Sequence, residues 1–368
     1  MCSIRSFVTS PTVVGVRKWV HMLNIAELLE PTPSPLWKLV KQAGVNEVVS
    51  LLDGAEQNWR WPRGEGSQDY VPTPYAVAPK GERPWELSAL TRMQEQYREY
   101  GLELVVIEDT APMDAIRLGT QGRDEAIQWV ADQIRAMGQL GIRTLCYNWI
   151  AIASWARTNN DIVLRGGALT SGYDDEIMQH ARPLIEPGSI THEQLWNAHE
   201  YFLKAIVPVA EESGVRIALH PDDPPIPFVR GVPRIMGSPE AFERVLSSVP
   251  SPNSGITFCQ GNFALMTNDV PGLIRQLGRD GRIFFAHFRD VKGTASKFYE
   301  TFHDEGPTDM LECMRAYQDI GFDGVLRPDH VPALEGDSNA SFGYSSMGRL
   351  LAVGYMTGLR EAVFGEAA

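Results

Sequence analysis

Cysteine is scarce and scattered: four residues among 368, at Cys2, Cys146, Cys259 and Cys313. That spacing offers neither a disulfide framework nor a CxxC zinc knuckle, so a reducing compartment, the cytoplasm, is expected. Basic residues are outnumbered, 33 Lys+Arg against 46 Asp+Glu, for a net charge of −13. Nucleic acid, which wants a basic face, is therefore not an expected partner. An anionic small molecule is still allowed, because a few positive groups can dominate one pocket. No apolar run approaches the roughly 18 residues that span a bilayer, so no membrane partner is expected. Near the amino terminus, the apolar run Thr12 to Val16 is short and broken by Gly15, which does not read as a signal peptide. No G-x-G-x-x-G follows a first strand, which counts against a dinucleotide-binding open sheet. No low-complexity linker divides the chain, so residues 1–368 are expected to form one domain, with 1–23 an irregular leading segment.

What is present is a recurring unit: a helical segment, a glycine, then a short apolar strand. Gly44 precedes Val45 to Leu52, Gly101 precedes Leu102 to Ile107, and Gly141 precedes Ile142 to Tyr147. Gly214 precedes Val215 to Leu219, Gly255 precedes Ile256 to Phe258, Gly281 precedes Arg282 to Phe285, and Gly324 precedes Val325 to Leu326. A glycine suits the left-handed residue that closes a helix. Near-continuous apolar strands suit a parallel sheet covered on both faces. An upstream strand around Thr12 to Val20 brings the total to eight, and the chain is expected to be an α/β protein, a (β/α)8 TIM barrel. Helices are expected over Arg123 to Leu140, Thr191 to Ser213, Ser238 to Ser248, Asp269 to Leu277, Thr308 to Ile320 and Gly348 to Val363. Two long insertions, Asp53 to Trp85 and Trp149 to Ser189, follow strands two and four, on the side where a barrel binds ligands.

Chemistry gathers at the ends of the late strands. The stretch Val215 to Arg230, VRIALHPDDPPIPFVR, opens as a strand and stops at His220, because the prolines at Pro224 and Pro225 cannot continue a ladder. The sixth strand ends in Cys259, the seventh in His287, and the eighth in Asp329 and His330. Separations of 39, 28 and 42 residues between His220, Cys259, His287 and Asp329 each match about one βα unit, so one rim should receive all four. Two imidazoles, a thiolate and a carboxylate can hold a divalent metal with positions left for substrate; ligand softness favours Zn²⁺ or Fe²⁺ over Mn²⁺. His330 is a candidate general acid or base. Arg289 and Lys292 are candidates to hold a substrate carboxylate, and Tyr344, between Gly343 and a helix start, could transfer a proton. Asp222 and Asn148 lie at the ends of strands five and four and complete the candidate substrate contacts.

Several longer motifs resemble the mannonate dehydratase family. They are HPDDPP at 220–225, GVPRI at 231–235, FCQG at 258–261, HFRDVKG at 287–293, FHDEG at 302–306, GFDGVLRPDHVP at 321–332 and the GY…GRL…AVGY pattern at 343–355; GRDEAI at 122–127 and CYN at 146–148 are also similar. The resemblance covers about Ile107 to Val363. It implies a xylose-isomerase-like barrel with a catalytic divalent metal, usually Mn²⁺, on His220, Cys259, His287 and Asp329, and proton transfer by His330 and Tyr344. The implied reaction is dehydration of a sugar acid, D-mannonate to 2-keto-3-deoxy-D-gluconate. The sequence departs from the family pattern at IAIASWAR, residues 150–157, where a segment ending F-D-W-T-R is usual, with Ala153 and Ser154 in place of Phe and Asp. Gln260 and Asn262 replace small residues after Cys259, and the family's first-strand R-W-[YF]-G is reduced to RKWV at 17–20. A related aldonate is therefore an alternative substrate, and a metal-dependent sugar isomerase or epimerase an alternative activity. A homo-oligomer is the expected assembly.

Overall fold

A computed structural model describes residues 23–52, 81–339 and 342–365. Five of the glycines expected to close helices do take positive φ: Gly44, Gly101, Gly141, Gly214 and Gly281, at 88°, 68°, 72°, 66° and 66°. Gly255 and Gly324 are glycine for another reason. A β-carbon at Gly255 would run into the Arg282 carbonyl and the Phe284 ring, and one at Gly324 into the Phe284 carbonyl. Close strand packing, rather than helix termination, excludes side chains there.

The strands that follow close into an eight-stranded parallel barrel. In chain order they are Asn24–Leu29, Glu47–Ser50, Glu103–Ile107, Thr144–Asn148, Arg216–His220, Ser254–Cys259, Ile283–Phe288 and Val325–Pro328. Each pairs with its predecessor in the chain, and the last pairs with the first. The expected first strand at Thr12 to Val20 lies outside the described residues; the barrel's first strand is Asn24–Leu29 instead. Most of the insertion Asp53 to Trp85, with Trp59, Trp61 and Tyr70, also lies outside them.

Helices cover the barrel where periodicity placed them. Arg123–Leu140 begins and ends as expected. Thr191 is the N-cap of His192–Ser213, in a capping box with Gln194, and Ser238 and Asp269 cap Pro239–Ser248 and Val270–Gly278. The main hydrophobic core lies between the strands and this helical layer. Among the described residues no helix is long and apolar enough to cross a membrane.

The insertion after the fourth strand is not a simple wall. Its strands Asn159–Val163 and Leu169–Asp174 form an antiparallel sheet with Val291–Thr294 and Lys297–Glu300, the hairpin that follows barrel strand seven. This small sheet brings Arg157 and Glu300 to the mouth of the barrel.

Candidate metal centre and active site

Strand register assembles the rim. Cys259 is the cross-strand partner of His287, His287 of Arg327, and Asn148 of His220. The ligand atoms of His220, Cys259 and His287 all lie within 4.8 Å of one another. Cys259 and His287 are buried, while His220 is half-buried.

Neighbouring groups set which ring nitrogens face inward. His220 Nδ1 lies 2.7 Å from the Pro221 carbonyl, which can only accept, so Nδ1 carries the proton. The free Nε2 lone pair faces His287 Nδ1 at 3.2 Å. On the other side of that second ring, Nε2 stands 3.1 Å from Glu108 Oε1, an ion-pair contact. His287 Nδ1 also faces Asp329 Oδ2, at 3.4 Å, so this nitrogen meets acceptors on two sides. Lone pairs facing at this distance repel unless a proton or a cation lies between them. A carboxylate behind a metal-binding imidazole is a common way to fix such an orientation.

The electrostatics agree. Burial raises the Cys259 thiol, but Arg289 and hydrogen bonds with His220 and His287 outweigh it and hold the group well below the usual thiol range. Burial and Arg327 lower His287, yet Glu108 and Asp329 overcome both and push it up to about 10. A locus that draws a proton this strongly also suits a metal cation. Two soft-to-borderline nitrogens and a thiolate make a chemically reasonable divalent-metal set.

Asp329 borders this set without entering the 4.8 Å cluster. Its Oδ2 is 3.4 Å from His287 Nδ1 and 2.9 Å from Arg289 Nε. Its Oδ1 accepts from Arg327 at 3.0 Å and from the Tyr344 hydroxyl at 3.2 Å. Burial opposes its ionisation, but His330, Arg327 and His287 keep it well below the usual carboxylate range. The pairing of Val331 with Gly343 and Tyr344 sets the tyrosine against His330, ring edge to face at 5.5 Å.

His330 itself is buried and has φ +38°, a conformation that residues with a β-carbon keep only where neighbours fix it. Its ring packs 4.8 Å from that of Trp155. Its Nδ1 lies 3.0 Å from Glu300 Oε1 and 3.0 Å from Arg157 Nη2. Asp223, Glu300 and His330 form a second group with ligand-like spacing. Cationic side chains already serve it: Arg157 binds Asp223 at 2.6 Å, and Arg289 binds Asp223 at 3.0 Å and Glu300 at 2.6 Å.

The candidate substrate contacts divide. Arg289, expected to hold a substrate carboxylate, is buried and engaged by Asp223, Glu300, Asp329 and Asn262, so its donors are committed within the protein. Asp222 is buried and engaged within the protein: its Oδ2 accepts from the Met236 amide at 2.6 Å, and Arg234 stands 3.8 Å from Oδ1. Lys292 is exposed on the hairpin strand Val291–Thr294. Asn148 stays beside the site, where its Oδ1 accepts from Arg117 at 3.0 Å.

Comparison with known proteins adds an independent observation. The family described as D-mannonate dehydratase (UxuA) matches residues 35–187 and 184–367 of this chain. A mannonate dehydratase from Thermotoga petrophila is 36% identical over 319 residues, spanning 77% of this chain and 88% of its own. Mannonate dehydratase 2 from Halalkalibacterium halodurans is 36% identical over 324 residues, 81% of this chain and 93% of its own. The chain belongs to the D-mannonate dehydratase family. A crystal structure of the Streptococcus suis mannonate dehydratase, 30% identical, superposes with a TM-score of 0.77 over 93% of each chain. A D-psicose 3-epimerase from Clostridium cellulolyticum is 12% identical with a TM-score of 0.55, a likeness of fold alone.

In this family member, four charged residues of the site had not been singled out from the sequence: Glu108, Arg157, Glu300 and Arg327. Arg157 closes the divergent IAIASWAR segment, so a familiar motif position was the one available sign for it. Glu108 is held by Arg327 at 2.9 Å through both of its oxygens, which fixes its face toward His287. Arg327 and His287 keep it ionised, down to about 2, against the upward push of burial. Glu108→Gln should therefore weaken metal affinity by about 10–100-fold while leaving the barrel folded. A chelator competition titration measures this, and an unchanged affinity would remove Glu108 from the support of the metal.

Proposed function

We propose that this chain is a metal-dependent dehydratase that removes water from D-mannonate to give 2-keto-3-deoxy-D-gluconate. In this reading His220, Cys259, His287 and Asp329 hold a divalent cation, Mn²⁺. The observation that carries it is a convergence of donors: the ligand atoms of His220, Cys259 and His287, from the ends of three successive barrel strands, lie within 4.8 Å of one another, and the Asp329 carboxylate stands 3.4 Å from His287 Nδ1. Two imidazoles, a thiol and a carboxylate at one rim suit a single divalent cation.

A cation held there contributes Lewis-acid stabilisation of the negative charge that develops next to the substrate carboxylate. The chain's own groups move the protons. His330 presents Nε2 as the base for the weakly acidic C2 proton. The Tyr344 hydroxyl, a donor to Asp329, carries the proton that the departing 3-hydroxyl needs. Trp155 packs over the His330 ring and limits water beside it. The three described cysteines are free and buried, which supports a cytoplasmic setting.

Incubation of the Mn²⁺-loaded protein with D-mannonate tests the reading. The expected product is a 2-keto-3-deoxy acid, detected by carbonyl derivatisation and mass loss of one water. Chelation should abolish turnover, and Mn²⁺ should restore it. Interconversion of sugars without water loss would instead support an isomerase or epimerase on the same barrel.

A further inference from the structure

Glu300 reaches the site from outside the barrel. It ends the strand Lys297–Glu300, where it pairs with Val291 across the hairpin. Its carboxylate is buried and held from two sides. Arg289 Nη1 donates to both oxygens, at 2.9 and 2.6 Å, and Arg157 Nη2 donates to Oε1. Both guanidinium groups are themselves fixed by Asp223. The remaining contact of Oε1 is His330 Nδ1 at 3.0 Å.

This triangle selects one imidazole tautomer. Arg157 can only donate, and the two hydrogens of its Nη2, the atom 3.0 Å from His330 Nδ1, already go to Asp223 Oδ2 and Glu300 Oε1; the carboxylate can only accept. With a proton on Nδ1, Glu300 Oε1 accepts from both neighbours. With the proton on Nε2, the Nδ1 lone pair would stand 3.0 Å from a carboxylate oxygen, a repulsive arrangement in a buried setting. The first arrangement leaves a lone pair on Nε2. That atom lies 3.9 Å from Asp329 Oδ1, on the side of the metal-ligand residues. The left-handed backbone of His330 and the close packing of Gly343 on its ring hold the imidazole in this orientation.

We propose that Glu300 is a positioning residue: its carboxylate takes the His330 Nδ1–H and thereby turns the Nε2 lone pair toward the substrate. The assignment rests on His330 serving as the base in the reaction proposed above. It makes the insertions after strands four and seven working parts of the site, because the first supplies Arg157, just before its strand Asn159–Val163, and the hairpin of the second supplies Glu300.

A double-mutant cycle tests it. Glu300→Gln should lower kcat by about 10–100-fold with KM and metal content little changed, as expected for a lost orienting carboxylate. In a His330→Ala background the same substitution should cost less than about twofold, because a residue that acts through the imidazole has nothing left to orient. Equal losses in both backgrounds, or a rise in KM at constant kcat, would overturn the proposal. If Glu300→Gln does not fold, Glu300→Asp keeps the charge and shortens the reach, and the same cycle applies. A readout without turnover separates this idea from the dehydratase reading. In protein labelled with ¹⁵N-histidine, a downfield Nδ1–H resonance that vanishes in His330→Ala should shift in the Glu300 variant. Absence of that resonance from the wild type sinks the positioning role even if D-mannonate is dehydrated. Its presence in a protein inactive on D-mannonate would leave the orientation standing and remove the substrate.

Discussion

Cys259→Ser should strip the protein of its metal while leaving the barrel intact. The thiolate is the softest donor of the set, and its replacement is a neutral hydroxyl of similar shape. The change also removes one of the three donor atoms that lie within 4.8 Å of one another. Losing a group that merely supports a ligand costs about 10–100-fold in metal affinity. Losing the ligand itself should cost more than about 100-fold, so dialysed protein should contain almost no metal by elemental analysis. Cys313→Ser is the matched control. Cys313 is buried on the helix Met310–Asp319, and burial raises its thiol to values at which it carries no charge at neutral pH. That variant should keep its metal. Full metal content in Cys259→Ser would exclude the sulfur from the centre and leave the three-donor cluster without its thiol.

The contrast between these two cysteines also marks what a sequence can carry. Strand ends were legible because a parallel barrel strand is a short apolar run with a turn signal before it, and its last residue projects to a known rim. His220, Cys259, His287 and Asp329 were singled out as candidates in that way, and the fold brings the ligand atoms of the first three within 4.8 Å of one another. The first strand was not legible. Asn24–Leu29 has Glu27 in its middle, buried and 3.8 Å from Arg349 of the last helix, so the apolar run is broken where a strand reader looks for it. The small sheet was hidden for a related reason: Asn159–Val163 is polar and largely exposed, with no core face to advertise it. Arg157 lies 173 residues from His330, and Glu108 lies 219 from Arg327. No local period connects such pairs; only the closed barrel and its extra hairpins do. Arg289 shows the opposite error. A positive side chain after a strand end suggested a substrate anchor, but nearby carboxylates of the protein had already claimed it.

His330→Ala should leave the metal in place and slow turnover by ~10²–10⁴. His330 lies outside the three-residue ligand cluster, so elemental analysis should find the same metal content as in the wild type. Truncation should not strand a buried charge, since Glu300 keeps Arg289 and Arg157 and Asp329 keeps Arg327. The loss should therefore fall on the chemical step rather than on folding. Solvent deuterium separates the two proton-transfer roles. If His330 is the base, the alanine variant should lose incorporation of deuterium at C2 together with turnover. Tyr344→Phe removes the donor to the leaving group and leaves Nε2 free, so its C2 exchange should outlast its dehydration. The reverse pattern would exchange the two roles. Near-normal turnover in His330→Ala would make the imidazole a packing element beneath Trp155, and the base would then have to be sought among the half-buried groups around His220.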